Sequence, residues 1–439
     1  MKNSKHLTCH SADSLFILVC IVPWGSGNPA GLWNRRRRFD SARDYPLKTK
    51  GVYPMKKILV VGTNTRPVAC SAKKMGNAVY SVDYFCTSDL VKCSDYLRCI
   101  LSQLPYETCG NYAEKYDSNL LHEYAYEVVD DVDYIFCSSG AVPEKFPESK
   151  IIGNKKIGHV EDKYKLYKSL KKKFNVPETF LISSYQEASQ IVDNNPDKKF
   201  IIKPVIGAGG KDIRRFEETT ENSDFSRFML QEVIKGESIS ASVLSTKEEA
   251  KTILTSMQLI GDSWLGQPDE FAYCGNIVPH KDDPKIKKLA EDVIMELSLV
   301  GSNGVDMIDT GDEIYVIEAN PRFQGTLECA EEVLGINMFD AHYKASNGTL
   351  IDVPKPKGYA VKMVVFAKWR SIAGDLNFEG VYDIPEKNVI IEKDEPAATV
   401  VESGKTLEEA IYNGKRTVEK VYGALNPYPG KIMVRNVNI

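Results

Sequence analysis

The sequence predicts a protein of mixed class, α/β at its N-terminal end and α+β beyond. Three observations carry this. Continuous apolar runs ending in small residues alternate with helical stretches to about residue 150, the pattern of a doubly wound parallel sheet. Farther on, strands come in pairs joined by short turns, with amphipathic helices between them. A chain of 439 residues, 43% apolar and 26% charged, is long enough for several cores.

Residues 57–64 (KILVVGTN) are the first buried strand, feeding a turn at Gly62. A helix follows over 68–75, a second strand over 77–85, and a third over 132–140. The first turn has one glycine, where G-x-G-x-x-G would be needed for a pyrophosphate to approach the backbone. Asp83 stands where a ribose-binding acid would, but a dinucleotide site is not expected. An amphipathic helix is predicted from Glu161 to Phe174, then a strand over 176–183 and a helix over 184–195. Residues 198–216 read as a strand, a glycine loop and a second strand, and 228–244 as two more strand segments. The periodicity of Ile286, Leu289, Val293, Ile294 and Leu297 marks a helix over 285–299, and 303–323 is a hairpin turning at TGDE. The tail mixes strands (359–367, 397–404) with a helix over 406–425.

Residues 1–54 differ from the rest. They carry nine Lys/Arg against three Asp/Glu, a local +6, so the remainder of this −4 chain sits at −10. An acidic remainder argues against a nucleic-acid surface. The longest apolar run, Leu15–Trp24, has ten residues, too short to span a membrane. It lacks a closely following small-residue cleavage pattern and is flanked by four arginines, which disfavours a secretory signal. Met55 opens MKKILVVGTN as a domain start, so 1–54 are read as a disordered extension or a misassigned start. The ten cysteines show no C-x-x-C and are expected to be reduced, mostly buried thiols of a cytoplasmic protein; Cys86, Cys93, Cys99 and Cys109 are assigned to core packing.

Two stretches carry chemistry. In IIKPVIGAGGKDI (201–213), Lys203 ends a buried strand, and Gly207, Gly209 and Gly210 offer bare amides to phosphate oxygens. It is not a Walker loop, because Lys211 is followed by Asp212. In EIYVIEANPR (313–322), Glu318 and Asn320 leave the same face of a strand, and Asp306 on the antiparallel neighbour can meet them. Two carboxylates and an amide oxygen are hard ligands suited to Mg²⁺ held jointly with nucleotide phosphates. Arg322 adds a planar charge for a carboxylate or phosphate. Tyr273 and Asn276, in 267–279, either touch substrate or belong to a plain connecting loop. His159, His280 and Trp369 are read as structural.

Together these segments, in order over roughly 55–350, resemble the ATP-grasp superfamily, near uncharacterised carboligase-like members related to biotin carboxylase. The resemblance implies a pre-ATP-grasp α/β domain (55–155), a two-lobed ATP-grasp domain (156–350) and a small C-terminal β-rich domain (351–439). It implies that Lys163 and Lys203 bind phosphates beneath a lid of Gly207, Gly209 and Gly210. Glu232 and Val233 would read adenine, and Glu237 the ribose. Asp306, Glu318 and Asn320 would hold Mg²⁺ or Mn²⁺, with Arg322 beside the reacting group. Two departures stand out: the short lid, and Asn303, Gly304 and Val305 where some members have an arginine. The implied activity is a ligase that uses ATP to turn a small-molecule carboxylate into an acyl phosphate and joins it to an amine. The alternatives are bicarbonate activation and a non-catalytic ATP sensor. No nucleic-acid or membrane partner is expected, and homo-oligomers are compatible with the resemblance.

Overall fold

The structure, a computed structural model, describes residues 55–428 apart from 102, 109, 111–116, 208, 211, 221–224 and 226. The predicted extension 1–54 and Cys109 lie outside the described residues.

The first layer is the expected parallel sheet. Its elements are β1 (Lys57–Gly62), α1 (Arg66–Lys74), β2 (Ala78–Asp83), α2 (Ser88–Cys93), β3 (Tyr96–Cys99), α3 (Ser118–Tyr126) and β4 (Tyr134–Cys137). Strand order is β3-β2-β1-β4, all pairs parallel. The strand Tyr96–Cys99 was not predicted; all four of its residues are only half-buried, so no apolar run announces it. The strand order reverses between β1 and β4, and their C-terminal ends open a crevice, the usual ligand position in such sheets. Asp83 is fully engaged there: it accepts from the Thr65 N–H (2.6 Å) and hydroxyl (2.9 Å) and from the Phe85 and Cys86 N–H groups (2.8 Å each).

The cysteines correct one expectation. Cys70 on α1 is bonded to Cys93 at the end of α2, and Cys86 to Cys99, with Cα separations of 4.9 and 5.6 Å. Parallel pairing sets Asp83 beside Cys99, which brings Cys86 to the end of β3, and α1 packs against α2, adjacencies the irregular spacing along the chain conceals. Cys137, Cys274 and Cys329 are free thiols.

A small lobe follows: α4 (Gly158–Glu161), α5 (Lys163–Leu170), β5 (Thr179–Leu181), α6 (Tyr185–Asp193), β6 (Phe200–Pro204), β7 (Arg214–Arg215) and β8 (Phe228–Glu232), the strands ordered β5-β8-β6-β7. The helix predicted over 161–174 is broken at Asp162. That residue is extended (φ −78°, ψ 100°), and its carboxylate caps α5 by accepting from the Lys165 N–H at 2.9 Å. Lys163 therefore sits in the first turn, directed by a fixed cap.

The largest sheet is antiparallel and runs β13-β12-β9-β10-β11-β14-β18-β16. The elements of this part of the chain are β9 (Glu237–Ser245), β10 (Ala250–Ile260), β11 (Tyr273–Val278), α7 (Pro284–Glu296), β12 (Gly301–Asp309), β13 (Ile314–Asn320), α8 (Leu327–Leu334), α9 (Met338–Ser346), β14 (Tyr359–Phe366), β15 (Ser371–Ala373), β16 (Val381–Tyr382), β17 (Ile390–Ile391), β18 (Pro396–Gly404), α10 (Leu407–Ala424) and β19 (Leu425–Pro427); β15, β17 and β19 form a small antiparallel sheet of their own, in the order β17-β15-β19. Residues 273–278, for which a connecting loop was one reading, are a central strand. The sheet crosses residue 351, since β11 pairs with β14. Helix α7 packs its apolar face on β9, β12 and β13, and α10 covers the opposite end around Val361, Met363 and Val365. Among the described residues no helix is long and apolar enough to cross a membrane.

Arg66, at the first turn of α1, is buried (2% exposed) and ties three segments together. Its guanidinium donates to both Glu328 oxygens on α8 (2.5 and 3.0 Å) and to Asp383 after β16 (2.7 Å); Asp89 on α2 lies 3.3 Å away. The Tyr382 ring stacks 4.9 Å from it. Arg66→Met would strand these acids in the interior and is expected to cost about 3–5 kcal/mol in chemical denaturation.

His342 on α9 is buried between Gly153 and Gly301. Its Nδ1 accepts from the Ser302 N–H at 2.8 Å, so Nε2 carries the proton that faces the Ile152 carbonyl at 3.3 Å. Burial pulls this imidazole down to about 4. The unfolded state, titrating near 6.5, takes up the proton first, so the contribution is complete above that value and disappears as pH falls toward 4. Between pH 7 and 4, denaturation free energies should therefore fall by about 3 kcal/mol less in His342→Phe than in the native chain.

Candidate active site

Between the small lobe, the large sheet and the crevice of the first layer lies one continuous cavity of about 1,420 Å³. Asp306 and Glu318 face each other across the β12–β13 pair, as expected, and Asn320 projects from the same face. A bulge follows: Met307 pairs with Val316, which leaves Ile317 unpaired and lets Ile317 and Glu318 both face the cavity.

The charges here are interlocked. Lys163 Nζ donates to Glu318 Oε1. Asn320 Nδ2 donates to Asp306 Oδ2 at 2.9 Å, and Arg322 to Asn320 Oδ1 at 2.7 Å. Burial, reinforced by Glu318, pushes the Asp306 carboxyl up to about 6. Burial alone would raise Glu318 too, yet Lys163 and Lys203 outweigh it and hold it below the usual range. Lys203 is buried (3% exposed) and donates to Gln231 Oε1 at 3.0 Å, while Gln231 donates in turn to Thr179. Burial and neighbouring Lys163 bring its ammonium down to about 8.

Two buried cations beside each other favour a polyanion, and two half-buried carboxylates with an amide oxygen favour a hard divalent cation. Among the described residues no three His, Cys, Asp or Glu side chains form a metal cluster. The third oxygen here is an amide, and a site of this kind leaves coordination positions for phosphate. The residues therefore fit both Mg²⁺ and a nucleoside triphosphate. Gly207, Gly209 and Gly210 line the cavity above them. The lid rests on 271–273: the Tyr273 N–H donates to the Gly209 carbonyl at 3.1 Å.

The remaining expected residues are placed as follows. Glu232 and Val233 line the cavity. The Val233 N–H is already donated to the Lys199 carbonyl at 2.8 Å, so of its backbone groups the amide is not free for a ligand. Glu237 pairs with Lys281 (2.6 Å) and His280 (3.1 Å). His280 thus lies against the Glu237 carboxylate, and Trp369 is 42% exposed, not packed inside. Gln231 and Gln258, which donates to Asp306 Oδ1 at 3.0 Å, were missed. Gln231 had a signal, as the neighbour of Glu232 on a strand facing Lys203; Gln258 lies in a strand that was not anticipated.

A family model described as the ATP-grasp domain matches residues 160–326, a span that includes every site residue expected from the sequence. An uncharacterized protein of Methanocaldococcus jannaschii is 34% identical over 380 residues, 83% of this chain and 93% of that one. The chain belongs to the ATP-grasp family. A tyramine–L-glutamate ligase of Methanocaldococcus fervens is 27% identical over 208 residues, 47% of this ATP-grasp chain and 60% of that protein. Among solved structures, N5-carboxyaminoimidazole ribonucleotide synthetase of Thermotoga maritima superposes with a TM-score of 0.60 at 17% identity, covering 85% of this chain and 99% of the other. Biotin carboxylase of Campylobacter jejuni gives 0.61 at 14%, covering 85% and 92%. At these identities the two structures establish the shared fold.

Gly210 has φ +79°, and a Cβ there would overlap the Phe271 carbonyl. Gly209 (φ +70°) faces open space. Gly210→Ala is expected to weaken Mg·ATP binding by about tenfold or more in calorimetry, and Gly209→Ala by less, since it carries only the ~1 kcal/mol left-handed penalty.

Proposed function

We propose that this ATP-grasp enzyme uses Mg·ATP, or Mn·ATP, to activate a small-molecule carboxylate as an acyl phosphate and joins it to an amine. The observation that carries the reading is the meeting of Lys163 and Lys203 with Asp306 and Glu318 at one end of a cavity larger than a nucleotide alone requires.

A carboxylate oxygen is a poor leaving group, so condensation needs it exchanged for phosphate. In the proposed reaction the γ-phosphoryl group bonds to the carboxylate as its bond to ADP breaks. The amine then attacks the carbonyl, phosphate departs, and the amine nitrogen loses a proton. Lys203 and Lys163 neutralise the charge of the moving phosphoryl group, and Arg322 orients the carboxylate in line with it. A divalent ion held by Asp306, Glu318 and Asn320 would add Lewis-acid neutralisation of the phosphate oxygens. Val233, Ile308 and Ile317 supply apolar walls suited to a purine, and the glycine lid excludes water from the acyl phosphate. No protein nucleophile is required. Cys137, the free thiol on the cavity wall, is held far from ionisation by burial, reinforced by Glu144.

The test uses hydroxylamine as a generic acceptor. The enzyme with Mg·ATP and pooled carboxylic acids should form a hydroxamate, detected by mass, that is lost in Lys203→Ala and reduced about 100-fold or more in Glu318→Gln. Hydroxamate in either variant at native levels would overturn the assignment of that residue. ADP release without any hydroxamate would redirect the reading to bicarbonate, and nucleotide binding without turnover to a sensor.

A further inference from the structure

The cleft face of the large sheet continues well past the carboxylates. Side chains alternate along a strand, and register places Gln258, Asn276 and Lys362 opposite one another on β10, β11 and β14. All three line the same cavity as Asp306. Gln258 links this row to the carboxylates through its bond to Asp306. Asn276 is fixed on both sides: it donates to Ser256 at 3.0 Å and accepts from the Tyr273 hydroxyl. That hydroxyl occupies space that Gly325 leaves open, just beyond Arg322.

Lys362 ends the row. It is buried; the side chain it hydrogen-bonds is Glu328, at Oε2 and 3.2 Å, and its charge also acts on Asp383. Both Glu328 oxygens already accept from Arg66 at 2.5 and 3.0 Å. An ammonium group has three donors, and a buried charge needs more than a shared acceptor to offset its lost hydration. Lys362 lines the cavity, which is where a further acceptor can reach its ammonium. From Asp306 on β12 to Lys362 on β14 the row crosses four strand spacings, about 19 Å at ~4.8 Å each. A nucleotide and its ions at the Asp306 end leave this far end to another molecule.

We propose that Lys362 is a specificity-determining residue for the second half of the cleft: its ammonium binds an anionic oxygen group, carboxylate or phosphate, that the substrate carries away from its reacting centre. The substrate class is thus a small acid with at least two anionic groups. The assignment rests on the ligase reading only in giving this end of the cavity to substrate.

The test is calorimetric titration of the full chain with butyrate, succinate and 3-phosphonopropionate, with and without saturating Mg·AMP-PNP. The native protein should bind one of the two doubly charged probes about tenfold or more tighter than butyrate, and which one distinguishes carboxylate from phosphate. Lys362→Met should erase that preference, and Lys362→Arg should retain it. Should Lys362→Met fail to fold by circular dichroism, Lys362→Gln takes its place in the comparison. Equal affinity of the native protein for all three probes, or a preference that survives removal of the charge, overturns the proposal. Failure of the native protein to bind Mg·AMP-PNP would instead count against the ligase reading, and the titrations without nucleotide would still judge Lys362.

Discussion

One buried guanidinium holds the parts of this molecule together. Arg66 belongs to the first helix of the parallel layer, yet its partners, Glu328 and Asp383, come from segments more than 250 residues later. Charged groups taken out of water must find each other, and here they do so only if the first layer, α8 and the β16 region meet in a single arrangement. Asp383 is itself secured in a left-handed conformation (φ 53°), with Asp89 accepting its N–H and that of Ile384. The cavity exists because these segments are fixed around it: Asn64, two residues before Arg66, and Asp383 both form its wall.

At the other end, function and stability pull apart. Lys203 beside Lys163, and Asp306 beside Glu318, are poor neighbours away from water, and the shifts of Lys203 and Asp306 toward neutrality express that. The strain is moderated by cross-pairing, Lys163 with Glu318 and the two amides Gln258 and Asn320 with Asp306. A ligand that brings both phosphate and a divalent ion satisfies each sign of charge at once, which makes binding of the two cooperative.

Much of this was legible in the chain. The apolar run of β1 and the E-x-N-P-R strand announced themselves through period and composition, and Glu318 and Asp306 meet across the hairpin that the TGDE turn implied. What escaped was whatever depends on distant pairing. Strand β11 was ambiguous because Gly275 and Asn276 interrupt its apolar pattern. Lys362 lies in an otherwise apolar strand, where a single cation reads as an outlier until its cavity is seen. Arg66 falls just before the helix expected over 68–75, and nothing in its neighbourhood along the chain sets it apart. The disulfides Cys70–Cys93 and Cys86–Cys99 join positions whose proximity is created by the parallel crossover, not by spacing.

The strands that hold Asp306 and Glu318 are separated from the strand that holds Lys362 by β9, β10 and β11. A sheet transmits little when one outward-facing side chain is exchanged for another several strands away, because the backbone ladder is shared but the side-chain neighbours are not. The half of the cleft proposed to transfer the phosphoryl group is therefore insulated from changes on β14. A lineage could acquire a new acid by altering two or three residues at one end, inheriting the energetics of activation untouched, and the sheet serves as a chassis on which the appetite of the enzyme can drift while its engine is kept.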